Sequence, residues 1–413
     1  MPPGKARSRL DRQIWGFKQM IAPLPGSCGR AALRVARLLL LAALLNISGV
    51  FVDQAFAGNV RLTTWNLDWF PNGTPKEAPP AEQERRIHAA ADVLRNLDPD
   101  IILLQEIRDY DTCVRLAEAI KPHTYQVAIC SAFKEPFQPG FGKQQVAILA
   151  KEPAQAAWAE RWKSMEGVDP PRGFAFAWFK IKGVDVGVYS VHLKSNLIMH
   201  GDKVAETTKN VRKREVAAHQ LLNHLRSVIA KAIPNIQSEV VAGDFNTNPV
   251  EFPADDTLKT LEDAGFRNCM ENASAVQRIT HPGGHGYPDT TFDYVLAQHA
   301  TVGSPNITHS TVSDHYPVTC EVNIPGTQPN TEAIARQAGS AMPNSNSVLP
   351  SPSAPVAGTM VTVVRPVTIQ ILYGQSVLPV GMKLPLVSRD AQTVRVEYMG
   401  EIQTIPLAST NLQ

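Results

Sequence analysis

Five short polar islands, each closing an apolar run, constrain this 413-residue chain more than anything else in it. They are Thr64-Trp65-Asn66-Leu67-Asp68, Leu104-Gln105-Glu106-Ile107-Arg108-Asp109, Val191-His192-Leu193-Lys194-Ser195, Ala242-Gly243-Asp244-Phe245-Asn246 and Ser313-Asp314-His315-Tyr316-Pro317-Val318. A run such as Ile101-Ile102-Leu103-Leu104 reads as a buried central strand, and the polar residues after it mark where the strand hands its last side chains to a surface cleft. Pooled, the islands supply carboxylate and amide oxygens that suit a hard divalent cation, and two imidazoles that suit an anionic substrate.

The elements between the islands predict how they meet. Strands are expected at Val60–Asn66, Ile101–Leu104, Tyr125–Cys130, Val146–Ala150, Phe174–Ile181, Val184–His192, Glu239–Ala242, Phe292–Ala297 and Val318–Val322, and helices at Glu82–Leu97, Ala205–Ala230 and Asp255–Ala264. Strands and helices mixed in this way imply a layered α/β core.

Four regions are expected. Residues 1–57 read as a leader and signal peptide: Arg30, Arg34 and Arg37 precede the apolar stretch Leu38–Val52, and Ala55-Phe56-Ala57 has the small-x-small form of a cleavage site, so the mature chain would begin at Gly58. Met20 is the alternative start. A membrane anchor is the rival reading, but the stretch is shorter than the ~20 residues a spanning helix needs, and no stable anchor is expected after cleavage. Residues 58–323 form the catalytic domain, 324–358 a Pro/Ser/Asn-rich linker, and 359–413 a small β module with five short strands. Export implies a periplasmic or extracellular location.

Removing the leader leaves 32 of the 40 basic and 36 of the 38 acidic residues, a net charge of −4. No global positive field draws this protein to nucleic acid, so any such attraction is local. Cys113, Cys130, Cys269 and Cys320 remain, an even number that permits Cys113–Cys130 and Cys269–Cys320 bridges, with four buried thiols as the alternative.

Glu106 is the first candidate metal ligand, because a carboxylate after four apolar residues is costly without a cation or hydrogen-bonding partner. Asn66 and Asp68 are expected on one face of a strand end by the period-two alternation, and Asp314 completes an oxygen-rich site for Mg²⁺ or Mn²⁺. Asp244 and Asn246 again stand two apart; the carboxylate suits a nucleophilic water and the amide suits a phosphate oxygen. His192 and His315 are donors to the same phosphate.

The islands, in this order and at these intervals, resemble the endonuclease/exonuclease/phosphatase superfamily over roughly residues 58–323. The resemblance implies a four-layered α/β sandwich of two packed mixed sheets flanked by helices, and a metal-dependent hydrolase of phosphate esters. It implies metal positions at Asn66, Asp68, Glu106 and Asp314, and catalytic positions at His192, Asp244, Asn246, Asp293 and His315, with Asp293 pairing with His315. Deoxyribonuclease-like members carry a glutamate that orients the first histidine, and Gln144 stands in its place here. Their Gln-Glu-Val-Arg-Asp segment also implies that Arg108 touches substrate. The segment Gly381-Met382-Lys383-Leu384-Pro385-Leu386-Val387 resembles the bacterial SH3-like class, which implies a barrel-like C-terminal module with a cell-envelope or protein ligand.

Substrate is the open point. An endonuclease acting on DNA or RNA is favoured by Arg108, by Lys194 and by the basic run Lys203, Lys209, Arg212, Lys213 and Arg214, for which a solvated helix face is the plain alternative. A lipid phosphodiesterase of the sphingomyelinase type is the second reading, and a non-catalytic binding module the third. An inositol phosphatase fits least. The loop from His281 to Asp289, with His285 within it, is expected to border the cleft.

Overall fold

The computed structural model describes residues 56–134, 140–198, 200–284, 287–325, 360–371, 374–378, 380–398 and 401–412. The expected leader up to Ala55 and nearly all of the linker therefore lie outside the described residues, as does His285, while Phe56 and Ala57 of the cleavage motif open the first strand. Residues 55–413 form one compact unit.

Two sheets carry the architecture. The first has the order β11-β13-β1-β2-β4-β3, built from β11 (Thr301–Val302), β13 (Val318–Pro325), β1 (Phe56–Phe70), β2 (Ile101–Ile107), β4 (Gln145–Ala150) and β3 (Gln126–Cys130), with β12 (Asn306–Ile307) also pairing with β13. The second runs β15-β16-β5-β6-β7-β8-β10-β9. Its members are β15 (Val367–Ile371), β16 (Gly374–Leu378), β5 (Ala154–Arg161), β6 (Gly173–Ile181), β7 (Val184–His192), β8 (Ser238–Asp244), β10 (Asp293–Gln298) and β9 (Arg267–Asn268). Both are mixed, with β1–β2 and β7–β8 parallel among antiparallel neighbours.

Alternation along β2 explains the layers. Ile101 and Leu103 join Val60, Leu62, Phe176, Val188 and Val240 in the core between the sheets. Ile102 and Leu104 point the other way, packing with Trp65 and Leu67 against helix α1 (Pro80–Leu97) through Ile87, Ala90, Ala91 and Leu94, and against α2 (Tyr110–Ala119) through Cys113 and Leu116. Proline at the first position of α1, Glu82 in its first turn and Arg95 in its last agree with the helix dipole. Asp109, the last residue of the second island, caps α2 by accepting from the Thr112 amide. Helix α3 (Lys203–His224) is capped by Asp202 and runs on through a π turn, Leu225–Ile229. A further helix, α4 (Thr257–Asp263), follows β8. Among the described residues no helix is long and apolar enough to cross a membrane.

Besides the two-residue strands β9, β11 and β12, three features differ from expectation. Strand β5 was hidden because Ala154-Gln155-Ala156-Ala157-Trp158-Ala159 reads as helix-forming; the alanines, 0% exposed at 156 and 157, are selected instead by close packing against the neighbouring strands and the facing sheet. Helix α2 is short and its pattern weak. The C-terminal region has six strands rather than five. Beside the four-stranded sheet β14-β17-β18-β19 (Met360–Thr362, Lys383–Arg389, Thr393–Tyr398 and Glu401–Pro406), the hairpin β15–β16 adds to β5 of the catalytic sheet. Tyr398 fixes this join: its hydroxyl accepts from the Ala157 amide at 2.8 Å and donates to the Ala157 carbonyl at 3.1 Å.

The four cysteines are buried thiols rather than disulfides, with Cys113 hydrogen-bonded to Cys130 and Cys269 to Cys320. The anticipated partners are neighbours, but no S–S bond joins them.

Gly243, in the fourth island, sits at φ +150°, and a Cβ there would lie 1.9 Å from the Val191 carbonyl oxygen. Neither strand can give way without breaking the β7–β8 pairing. Gly243→Ala should lower stability by about 2 kcal/mol or more, read as a lower denaturant midpoint; an unchanged midpoint would show that the two backbones are not held this close.

Candidate active site

Strand register places the second sheet's contribution. His192 is the last residue of β7 and stands opposite Asp244, the last of β8, which in turn stands opposite Asp293, the first of β10. From the facing sheet, the ends of β1 and β2 bring Asn66 and Glu106. Asn66 Nδ2 donates to Asp244 Oδ2 at 3.0 Å and lies 3.4 Å from Glu106 Oε1, so one amide bridges the two sheets. His192 Nε2 lies 3.5 Å from Asp244 Oδ2 and 3.8 Å from Glu106 Oε1.

Simple alternation did not put Glu106 here, since it would have faced the helix layer with Ile102 and Leu104. The β2–β4 register slips between Gln105 and Ile107, and Glu106 adopts φ +60°, which turns it to the cleft where Oε2 accepts from the Trp69 amide at 3.0 Å. Asp68 (φ +50°), Trp69 (φ +47°) and Asn246 (φ +53°) share this left-handed conformation. Four such non-glycine residues at one cleft are strained backbone gathered at a site. Asp68 is likewise placed by a slip, between Asn66 and Phe70, and not by the two-residue period.

His315 is reached from the loop before β13. Its carbonyl accepts from Trp65 Nε1 at 2.9 Å, and Ser313 Oγ donates to the Asn66 carbonyl at 2.8 Å, so the fifth island is fastened to the first. His315 Nδ1 is 2.8 Å from Asp293 Oδ2, the pairing implied by the resemblance, and Nε2 is 3.8 Å from Asp244 Oδ2.

The electrostatics separate the two histidines. Burial works against charge on His315, but Asp293, Asp244 and Asp314 outweigh it and hold the imidazolium up to about 10. Burial also leads for His192, and there the nearby cations Arg172, His315 and Lys194 add to it, so its pKa falls well below the usual value and the ring is neutral. Burial raises Asp244 to about 7, with Asp293 adding to the rise and His315 opposing it. Asp68 rises to about 7 through burial and then through repulsion from Asp314 and Glu106, against Arg86 and His315.

That repulsion tests the expected metal. Asp68, Glu106 and Asp314 are acidic oxygen donors near enough to oppose each other's charge, and Mg²⁺ or Mn²⁺ takes such a set, keeping water at the remaining positions. The residues fit. Asn66, as oriented, shows its NH₂ to Glu106 and Asp244 while its oxygen accepts from the Asp68 amide at 3.1 Å. Asp314 is exposed and lies 3.8 Å from His281 Nε2; the ligand atoms of His281, Asp314 and His315 come within 4.8 Å of one another, as do those of Asp244, Asp293 and His315.

Several expected roles change. Gln144 does not orient His192: its oxygen accepts from Arg172, while His192 Nδ1 is buried without a hydrogen-bond partner among the described residues. Arg108 is held by Glu77, Gln83 and Asp109, two of them carboxylates, so its charge is largely neutralised. Arg214 is wholly buried, bonded to Asp255, the Lys194 carbonyl and Asn196. Lys209 pairs with Glu206, and Arg212 with Glu166 and Glu215. Lys194 lies beside His192 but folds back onto Ser195, and Asn246 Nδ2 faces the Leu193 carbonyl at 3.4 Å.

Sequence reasoning missed Arg86 and Arg172. Arg86 Nη2 donates to the Leu67 and Asp68 carbonyls, and Arg172, at φ +64°, donates to the carbonyls of His192 and Leu193. Neither lies in an island, and only the fold brings them to the cleft.

The raised pKa of His315 makes a signed prediction. Its charge pair stabilises the fold fully below pH 6.5, the ordinary histidine value, and that contribution is lost as pH rises through about 10. In metal-free protein, Asp293→Asn should shift the His315 titration, followed by ¹⁵N NMR, to lower pH by at least about one unit. An unmoved titration would remove Asp293 as the source of the charge.

Comparison with known proteins agrees with this geometry. The family model described as the endonuclease/exonuclease/phosphatase family matches residues 63–315. Similar solved structures include an endonuclease/exonuclease/phosphatase family protein from Leptotrichia buccalis C-1013-b (17% identity, 64% of this chain and 100% of that one, TM-score 0.46). They also include TDP2 from C. elegans (16% identity, 64% and 75% covered, TM-score 0.45) and D. rerio TDP2 complexed with single strand DNA product (13%, 64% and 99%, TM-score 0.45). No curated protein matches the chain. With more than half of its length matched by the family model, the chain belongs to the endonuclease/exonuclease/phosphatase family and is a hydrolase acting on phosphate ester bonds.

Proposed function

We propose that this protein is an exported, metal-dependent nuclease that hydrolyses phosphodiester bonds of DNA or RNA. The observation that carries the reading is a division of labour in one cleft: a neutral His192, a charged His315 and a buried Asp244 within 3.8 Å of both. Asp244, near neutrality, suits a water nucleophile whose proton it accepts. His315 donates to a phosphate oxygen on which charge grows, and His192 donates through Nε2–H, the tautomer its two carboxylate neighbours favour. Magnesium or manganese, when bound at Glu106 and Asp68, supplies Lewis-acid charge to the same phosphate.

A polyanion is supported by the cations around His192. Burial first, and then crowding by Arg172 and Lys213, together lower Lys194 to about 8, so cations gather here on a chain whose mature charge is −4. A lipid phosphodiesterase is the second reading. It is favoured by Leu197, Val204 and Val250, exposed by 63%, 74% and 81% in the segments that follow β7 and β8 at the cleft's rim.

Purified protein with Mg²⁺ or Mn²⁺, given plasmid DNA, RNA and sphingomyelin in parallel, should cleave a nucleic acid. Glu106→Ala should lose at least roughly 10²-fold in kcat with its thermal midpoint retained. Sphingomyelin turnover with both nucleic acids intact would replace the nuclease reading by the lipid one, and a folded, fully active Glu106→Ala would remove this carboxylate from the chemistry.

Export makes a separate prediction. N-terminal sequencing of protein recovered from the native envelope or medium should begin at Gly58; a membrane-retained chain starting near Met1 or Met20 overturns it.

A further inference from the structure

The strands that end at the catalytic cluster continue sideways into a groove. Arg161 at the end of β5 stands opposite Gly173 at the start of β6, and Phe174 stands opposite Val191 on β7, so the ends of β5, β6 and β7 lie in a row beginning at His192. Arg172 occupies the middle of that row and is tied to the His192 and Leu193 carbonyls. Next to it is a small cavity of about 190 Å³, which Arg172 and Gln144 share with Phe133, Lys134 and Arg161. The last three also line a larger cavity of about 830 Å³. Thr368 and Gln370 of β15 and Val377 of β16 form its far wall, so the C-terminal hairpin closes a trough that the catalytic sheet alone would leave open.

The lining has a definite chemistry. Lys134, Arg161 and Lys163 are exposed cations, and the only acid on the lining among the described residues, Glu160, is mostly buried and engaged by Trp158 Nε1. Phe141 offers a ring that is 63% exposed. Trp162 is 5% exposed, yet among the described residues its Nε1 has no hydrogen-bond partner, an indole donor left unsatisfied in the wall of the cavity. Separated cations beside an exposed aromatic ring and an unmet donor are the parts that hold an unpaired polynucleotide, through phosphates, base stacking and base edges respectively.

We propose that this groove, completed by the C-terminal hairpin, is the track along which a single-stranded nucleic acid extends from the catalytic cluster. The proposal rests on the nuclease reading for its substrate and assigns the C-terminal strands a part in substrate binding. Two exposed lysines make a clean probe, because among the described residues no side-chain hydrogen bond or ion pair holds Lys134 or Lys163.

The test is binding, not turnover. Fluorescence anisotropy of metal-free, full-length protein with a labelled single-stranded oligonucleotide of mixed sequence should give a salt-dependent Kd. Lys134→Ala with Lys163→Ala should weaken it at least tenfold in low salt and reduce the slope of log K against log salt by about 1.4, the release expected for two phosphate contacts on a single strand. Phe141→Ala should weaken binding several-fold with the slope unchanged, as a lost stacking contact would. Thermal midpoints equal to the parent's establish that each variant is folded. Parent-like affinity and slope in the double lysine variant overturn the groove, as does a parent that binds no oligonucleotide. The two readings separate cleanly: a parent that cleaves nucleic acid while the lysine variant binds normally defeats the groove alone, and a parent that binds through these lysines but hydrolyses only lipid defeats the nuclease reading alone.

Discussion

The hydrogen bond from Asn66 to Asp244 ties the ends of the two facing sheets at the mouth of the cleft, and the cleft is arranged around it. Both partners are buried, at 1% exposure each. One layer deeper, Gln105 on β2 donates to Ser190 on β7 at 3.1 Å. Beneath that the contact turns wholly apolar, with Leu103 and Ile101 against the strands of the second sheet. A charge-assisted hydrogen bond contributes about 1.5–3 kcal/mol, while withdrawing a carboxylate from water costs several. The polar layer is therefore close to a net cost, and the apolar layers below supply the stability that holds it. This is why removal of a carboxylate from the cleft is expected to spare the fold, whereas a methyl group added at Gly243, where two backbones touch, is not.

Much of this was legible in the chain. The five islands identified the strands that converge, and register alone then fixed His192, Asp244 and Asp293 as neighbours, because each stands at the end of a paired strand. What could not be read was every feature that depends on a broken rule. Glu106 reaches the cleft through a register slip and a left-handed backbone, which period-two reasoning excludes. Strand β5 carries a helix-favouring alanine run, and only the demand for small residues between neighbouring layers makes it a strand. Arg172 and Arg86 lie outside all motifs and act on backbone carbonyls, an interaction with no sequence signature.

The basic residues show the same limit in another form. Arg108 and Arg214 were singled out by position, one by its motif and one by a run of cations, yet both are consumed by carboxylates: Arg108 by Glu77 and Asp109, Arg214 by Asp255. A count of lysines and arginines treats such groups as equal to exposed ones. Desolvated and paired, Arg214 projects almost no field, and its worth lies in locking the segment after β7 to the one after β8.

At the cleft and along the groove, Lys194, Arg161, Lys134 and Lys163 have no carboxylate partner among the described residues. Their placement, not the total, decides what the protein attracts, since residues 58–413 hold 32 basic against 36 acidic residues and at physiological salt a charge is screened beyond ~8 Å. A ligand with one phosphate would feel the cluster only. A polymer with a phosphate at every repeat would feel the whole line, and its attraction would grow with length until the groove was filled, so on the nuclease proposal geometry would favour a long anion over a short one.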